Sequence, residues 1–292
     1  MQNILTSIKL SGIQISRQLK NPTKTQNRIS RTNKSGDHIK ELDFIANNIF
    51  INNLIACNSV YKILSEEEDY ALPVNKLGKY IVTFDPLDGS DNIDINSSIG
   101  SLFCILDKGE VSGRDIVASG YIYYGSVMQM VIATENMVKL YHYSEVLNNF
   151  VELNNDRWEN NNIYIPLTGP TYSNNEGNNH KLIDEKIKSF LYVMGMTKSL
   201  RYSGCLVADL HRLLFRGGCF IYPANSSERN GKLRLLYEAY PAAHIIETAG
   251  GFSRHCDSTD SILDIAYPND IHQKTPVILM SNSEKVIYDT LL

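Results

Sequence analysis

The sequence predicts an α/β protein of the layered α+β kind, in which layers of helices alternate with mixed sheets. Three observations predict it. Apolar residues recur at helical spacing at the start of the chain and again after residue 37. Strand-type apolar runs separated by turn residues fill positions 101–133. The second half then alternates helical and strand-like stretches, the pattern of stacked layers.

Taken in order, Ile4, Ile8, Ile15 and Leu19 fall on one face of an opening helix. Asn21-Pro22-Thr23 ends it, and the polar, basic segment through Lys34-Ser35-Gly36 reads as a mobile loop. Asp37 and His38 open a second helix with Ile39, Leu42, Ile45, Ala46, Ile49 and Leu54 on its buried side. Here Asp37 reads as a helix cap, and Asp43, off the apolar stripe, as a solvated surface acid. Residues 60–64 form a strand that ends in the charge run Ser65-Glu66-Glu67-Glu68-Asp69, by itself the pattern of a solvated loop. Residues 101–106, 116–124 and 127–133 make a sheet meander.

The polar, low-complexity stretch 154–162 marks a boundary. It divides the chain into an N-terminal part, 1–162, and a C-terminal part, 163–292. Beyond it come a helix at 184–193, the segment 207–214 and a strand at 219–222. After a loop rich in Asn and Ser, a helix runs from Glu238 through Ala242, Ala243, Ile245, Ile246 and Thr248 to the Gly250-Gly251 stop. Residues 277–280 are a late buried strand, and there is no internal repeat.

Composition narrows the function classes. The 292 residues are 43% hydrophobic and 21% charged, as in an ordinary globular protein with a sizeable core. A net charge of −4 argues against nucleic acid as the main partner, because a phosphate-backbone binder carries a basic excess. No apolar run approaches membrane-spanning length, and the first residues lack the features of a secretory signal. The five cysteines are scattered with no C-x-x-C pair, as expected of reduced core thiols in a cytoplasmic protein.

The chemistry concentrates in residues 80–94. An apolar, β-branched run reaches Phe84 and breaks at a proline and a glycine, with Asp85 and Asp88 flanking the break. Two like charges held that close repel, and a divalent cation relieves the repulsion. Gly89 and Ser90 are small enough to let N–H groups and a hydroxyl approach a phosphate. If the strand at 60–64 is a neighbour ending on the same edge, Glu66, Glu67, Asp85 and Asp88 pool in one cleft. Alone, D-x-x-D-G is equally the pattern of an Asp-rich surface turn.

With Phe84-Asp85-Pro86-Leu87-Asp88-Gly89-Ser90 and Asn92-Ile93-Asp94, the chain closely resembles fructose-1,6-bisphosphatase, within the metal-dependent sugar and inositol phosphatases. Ser65-Glu66-Glu67, Gly36-Asp37, Leu42-Asp43, Tyr172 to Gly177, Arg201-Tyr202, Val207-Ala208-Asp209, Tyr222-Pro223-Ala224-Asn225, Gly231 to Glu238 and Asp270-Ile271-His272-Gln273 resemble family segments in order. The resemblance implies the sugar-phosphatase fold and Mg²⁺-dependent hydrolysis of the 1-phosphate of fructose 1,6-bisphosphate, a step of gluconeogenesis, in a cytoplasmic homotetramer. It implies metal ligation by Asp37, Glu66, Asp85, Asp88, Glu238 and the Leu87 carbonyl, holding two to three Mg²⁺ per subunit with Mn²⁺ as the alternative. Glu67, oriented with Asp43, takes the proton of the attacking water.

The substrate residues so implied are Asp88, Gly89, Ser90, Asp91, Asn175, Arg201, Tyr202, Tyr222, Lys232, Leu233 and Arg234. Among them Asn175, Tyr202, Tyr222 and, from a neighbouring subunit, Arg201 take the distal 6-phosphate. Singly, these tyrosines also read as half-buried interface residues and Arg201 as a surface cation. Four positions depart from the family: Asp91 for a serine, Asn178 for a tyrosine, Leu206 for a methionine and Asp107 for an arginine of the AMP site. Lys79 and Tyr80 match the AMP site, yet with Asp107 there and the usual Gly-Glu-Leu-Thr helix start missing, inhibition by AMP is expected to be weak or absent; the short, cysteine-free 107–110 connection implies that the redox loop of the chloroplast relatives is missing too. The competing readings are a sedoheptulose-1,7-bisphosphatase or dual-specificity sugar bisphosphatase, and a non-catalytic sugar-phosphate-binding regulator.

Overall fold

The computed structural model describes residues 1–20, 28–32, 38–109, 112–154, 159–174, 182, 184–256 and 260–291. The chain opens with α1 (Gln2–Leu19), β1 (Arg28–Thr32), β2 (His38–Lys40) and α2 (Glu41–Ile55). The first sheet takes β3 (Val60–Ser65), β4 (Leu72–Pro73), β5 (Tyr80–Asp88), β6 (Gly100–Asp107), β7 (Ile116–Tyr124), β8 (Met128–Thr134), β9 (Met137–Ser144) and β10 (Asn149–Glu152). The second half contributes β11 (Thr171–Asn174), α3 (Glu185–Thr197), β12 (Ser199–Leu200), α4 (Leu206–Arg216) and β13 (Cys219–Tyr222). It ends with β14 (Leu233–Arg234), α5 (Tyr240–Thr248), β15 (Phe252–His255), β16 (Lys274–Thr275), β17 (Val277–Met280) and α6 (Asn282–Thr290).

Among the described residues the first sheet has eight strands in the order β10-β9-β8-β7-β6-β5-β3-β4. From β5 to β10 it is the expected antiparallel meander, while β3 lies parallel to β5. The second sheet, β12-β11-β13-β17-β15, mixes parallel and antiparallel pairs.

Side-chain alternation along the strands produces the layers. On β6, Leu102, Cys104 and Leu106 join the core that holds α4 and α5, whereas Phe103 and Ile105 join the core under α1 and α2. On β17, Val277 and Leu279 face α4 and α5, and Ile278 and Met280 pack with α3. Helices therefore cover both faces of both sheets, which is why these strands read as unbroken apolar runs. The α/β layering predicted from the sequence is the architecture observed. All five cysteines are buried and none forms a disulfide, and no described helix is long and apolar enough to cross a membrane.

Four local expectations need correction. Residues 28–32 and 38–40 pair as antiparallel strands where a mobile loop and a helix start were expected. The second helix begins at Glu41, so Ile39 lies in β2, and Asp37 lies outside the described residues. Asp43 is only 4% exposed, because α2 packs between α1 and the sheet and buries more than one stripe. Finally, β5 does not stop at Pro86 but runs to Asp88 through an irregularity in its pairing with β6.

Two histidines bind the middle layer to β7. His211 Nδ1 lies 2.8 Å from the Tyr121 hydroxyl, and His244 Nδ1 lies 2.8 Å from Ser119 Oγ. Burial pushes both rings down to about 4 from the usual 6.5. A ring kept neutral in the fold but free to protonate when unfolded stabilises fully above pH 6.5, and loses that contribution as pH falls toward 4. Each loss is on the order of 3 kcal/mol when complete. An NMR titration is expected to leave both ring signals unshifted from about pH 7.5 to 5.5; a midpoint near the ordinary histidine value for either ring contradicts this account.

Candidate active site

The parallel pair β3–β5 sets up the site. Ser65 lies opposite Phe84, and the Glu66 N–H donates to the Phe84 carbonyl at 3.1 Å. Glu66 and Asp85 thus leave the same sheet edge side by side, as the sequence predicted. On the other side of β5, Asp85 faces Leu102 and Asp88 faces Gly100, so three steps along β5 match two along β6. This is a bulge. In a regular strand, residues three apart point to opposite faces; one extra residue brings Asp85 and Asp88 to the same face. Pro86 is tolerated there because its position makes no ladder donation, and its carbonyl accepts the Ser101 hydroxyl at 2.7 Å.

Asp88 then reaches α4. Cys205 begins that helix without capping it by its own side chain. Instead the Asp88 carboxylate accepts the N–H groups of Leu206 (3.1 Å) and Val207 (2.6 Å) and the thiol of Cys205 (3.0 Å). A helix N-terminus favours such an anion. Burial holds the Cys205 thiol well above its usual pKa, so it stays a donor.

Glu238 comes from a π-helical turn, Leu235–Ala239, that leads into α5. π-turns often mark functional sites because they shift the side-chain phase within a helix. The Thr83 hydroxyl on β5 donates to the Leu236 carbonyl at 2.7 Å and ties this turn to the sheet. Glu238 in turn accepts the Arg234 N–H at 2.7 Å.

Carboxylate oxygens of Asp85, Asp88 and Glu238 all come within 4.8 Å of one another, and all three residues are buried. Burial, followed by the charges of Glu66, Asp88 and Glu238, pushes Asp85 well above the usual carboxylate range. Burial raises Asp88 only to about 6, because its three donors oppose the shift. Glu238, raised first by burial and then by Glu66, reaches about 8 despite Arg234. Glu66 stands at the rim of the cluster, with its carboxylate held by the Arg234 guanidinium. These are hard oxygen donors whose charges repel, a donor set that fits Mg²⁺.

Beside the cluster lies a cleft of about 420 Å³ lined by Asp88, Glu238, Tyr202, Tyr222, Lys232, Leu233 and Arg234, with Cys205 and Lys274. A more open hollow of about 780 Å³ adjoins it through Glu228 and Lys274 and touches none of the three carboxylates. Gly89, with φ +75°, starts the short 3₁₀ turn Ser90–Asn92 directly after Asp88. Asp91 is exposed. Leu87 is buried, its N–H donating to Asp85 at 2.9 Å. Arg201 is exposed, and Asn175 and Asn178 lie outside the described residues.

The turn with Glu67 packs on α2, where Asp43 and Asn47 are buried one helical turn apart. Asn47 bonds to both Ser65 and Glu68, on either side of Glu66 and Glu67. Sequence reasoning missed Asn47 and Cys205. The available signals were a polar residue four positions after Asp43, and a thiol opening the helix that Asp88 caps.

A family model described as the fructose-1,6-bisphosphatase N-terminal domain matches residues 1–155, and its C-terminal counterpart matches residues 165–289. The chain belongs to the fructose-1,6-bisphosphatase family. It is 38% identical over 277 residues to the class 1 fructose-1,6-bisphosphatase of Chlorobium phaeobacteroides, covering 88% of this chain and 80% of that protein. It is 40% identical over 267 residues to fructose-1,6-bisphosphatase 1 of Bos taurus, covering 86% and 76%. The crystal structure of Leishmania major fructose-1,6-bisphosphatase in holo form superposes with a TM-score of 0.91 at 32% identity, over 99% of this chain and 93% of that one. Membership agrees with the resemblance carried by the sequence motifs.

Gly89 leaves no room for a side chain. A Cβ there would sit 2.8 Å from the Cys205 Cβ and 3.1 Å from the Ser98 carbonyl oxygen, at a φ that disfavours other residues. Gly89→Ala is expected to cost about 2 kcal/mol, seen as a melting temperature lower by roughly 5 °C. An unchanged melt would show that the turn relaxes freely.

Proposed function

We propose that the protein hydrolyses the 1-phosphate of D-fructose 1,6-bisphosphate to fructose 6-phosphate and phosphate, a step of gluconeogenesis, with Mg²⁺ as its cofactor. The observation that carries this reading is the convergence of Asp85, Asp88 and Glu238 beside a cleft that also presents Lys232, Arg234, Tyr202 and Tyr222. Asp85, Asp88 and Glu238 would hold the cation, joined by Glu66, Asp37 and the Leu87 carbonyl. When bound, it supplies positive charge opposite the oxygens of the transferring phosphoryl group.

The chain's own residues do the rest. Glu67, on the turn after β3, takes a proton from the water that attacks phosphorus, and Asp43 on α2 orients it. The bond from phosphorus to the sugar's C1 oxygen breaks with its electron pair on that oxygen, which takes a proton from solvent as fructose 6-phosphate leaves. N–H groups of the Gly89–Asp91 segment and the Arg234 guanidinium receive the 1-phosphate. Lys232 and Leu233 face the sugar. Tyr202, Tyr222, Asn175 and an Arg201 from a neighbouring copy receive the 6-phosphate in a homotetramer. That second anion site favours a bisphosphate over a monophosphate.

In this reading residues 1–162 carry the metal-binding loops, and residues 163–292 carry most of the sugar-phosphate contacts. Five cysteines outside any disulfide suit the cytoplasm. AMP inhibition is weak or absent in this reading, since Asp107, directly opposite Tyr80 in the β5–β6 register, brings a negative charge where the family has an arginine.

Phosphate release from fructose 1,6-bisphosphate tests this directly. Wild type is expected to turn over with Mg²⁺ and to stall with a chelator, and micromolar AMP should leave the rate unchanged. Asp88→Asn keeps the side-chain shape but removes the charge and one of the two acceptors at the start of α4, and is expected to lower kcat roughly 100-fold or more. Wild-type turnover in that variant removes Asp88 from the mechanism. Absence of release from wild type with Mg²⁺ present overturns the functional reading.

A further inference from the structure

We propose that Asn47 is a positioning residue that fixes the turn carrying Glu67 and thereby sets kcat; the link to kcat rests on the functional reading above. Asn47 is 2% exposed. Both of its polar atoms are committed to the turn after β3. Its Nδ2 donates to Glu68 Oε1 at 2.7 Å, and its Oδ1 accepts from the Ser65 hydroxyl at 2.7 Å. Ser65 Oγ accepts the Glu67 N–H at 3.2 Å.

The direction of this chain is dictated at each step. The carboxylate of Glu68 accepts, so the amide must turn its NH₂ toward it. The amide oxygen then faces Ser65, whose hydroxyl must donate to it and has lone pairs left for the Glu67 N–H. A single neutral side chain thus holds the Glu67 backbone and the Glu68 side chain together. The flanks of the turn are fixed independently, by Arg234 on Glu66 and by His272 Nε2, 3.1 Å from the Glu68 carbonyl oxygen. Aspartate at position 47 lacks the donor and places a like charge against Glu68; leucine lacks both functions.

A donor–acceptor swap tests the proposal. Asn47→Asp breaks the bond to Glu68; Glu68→Gln alone leaves an amide oxygen for Asn47 to donate to. Combining the two restores the bond in the opposite direction, with the position-68 amide as donor. Two readouts are taken: steady-state kinetics on fructose 1,6-bisphosphate at saturating Mg²⁺, and amide hydrogen exchange of a peptide spanning residues 64–69 in the protein without substrate. Asn47→Asp is expected to lower kcat about 10- to 100-fold with KM within about twofold. It should speed exchange of the turn about tenfold. Glu68→Gln should behave as wild type, and the combined variant should recover both readouts to within about threefold.

Wild-type kcat and exchange in Asn47→Asp, or a combined variant as impaired as Asn47→Asp, overturns the proposal. Should Asn47→Asp not fold, Ser65→Ala cuts the same chain at its middle and is expected to give the same two changes; wild-type values there overturn it equally. Exchange needs no turnover, so an inactive wild type would sink the functional reading while the exchange still decides the network.

Discussion

Repulsion among buried carboxylates is the constraint that the rest of this structure serves. Asp85, Asp88 and Glu238 stand within 4.8 Å of one another, buried where water screens them little, with Glu66 at the rim. Each is brought there by a different backbone device: a bulge in β5, the end of that bulged strand against α4, and a π-turn ahead of α5. Regular elements would have scattered them. The devices also differ in what they offer the charge. Asp88 finds two N–H donors and a thiol at a helix N-terminus, and rises only to about 6. Glu238 finds one backbone N–H and the neighbouring arginine, and rises to about 8. Without a cation, then, the cluster holds protons near neutral pH.

The layers determine where these pieces can meet. Glu66, Asp85 and Asp88 come from the edge of the first sheet, and Glu238 and Arg234 from the layer between the sheets. The Thr83–Leu236 bond joins the two at the site, and the contacts of β7 with His211 and His244 join them behind it. Asp85, Asp88 and Glu238 therefore stand on packed, buried elements, while the connections before α4 and β14 add Tyr202, Gly204, Glu228 and Lys232 to the cleft lining. The two turns next to the acids are held by side-chain bonds: Asn92 to the carbonyls of Ser98 and Ser203, Asn47 to Ser65 and Glu68. Such preorganisation suits a reaction in which charge must be met in place.

Much of this was legible in the sequence. The strands of the meander declared themselves by β-branched runs, and the pooling of Glu66 with Asp85 followed from two strands ending together. What stayed hidden depends on register and environment. The bulge is invisible without the partner strand, so Pro86 looked like a strand end. Asp43 looked solvated because a helix wedged between α1 and a sheet buries more than one stripe, which periodicity does not register. The pairing of residues 28–32 with 38–40 is short and carries no alternating pattern. Cys205 and Asn47 act through residues far away in the chain, and neither belongs to a motif that singles it out.

The central claim is that these acids are gathered for a cation and hold protons until it arrives. Calorimetric titration of Mg²⁺ into the metal-free protein at neutral pH, repeated in buffers of different ionisation enthalpy, counts the protons exchanged. The account predicts release of about one proton or more per chain on binding, with less release from Glu238→Gln. Binding with no proton release, or no binding at all, contradicts it.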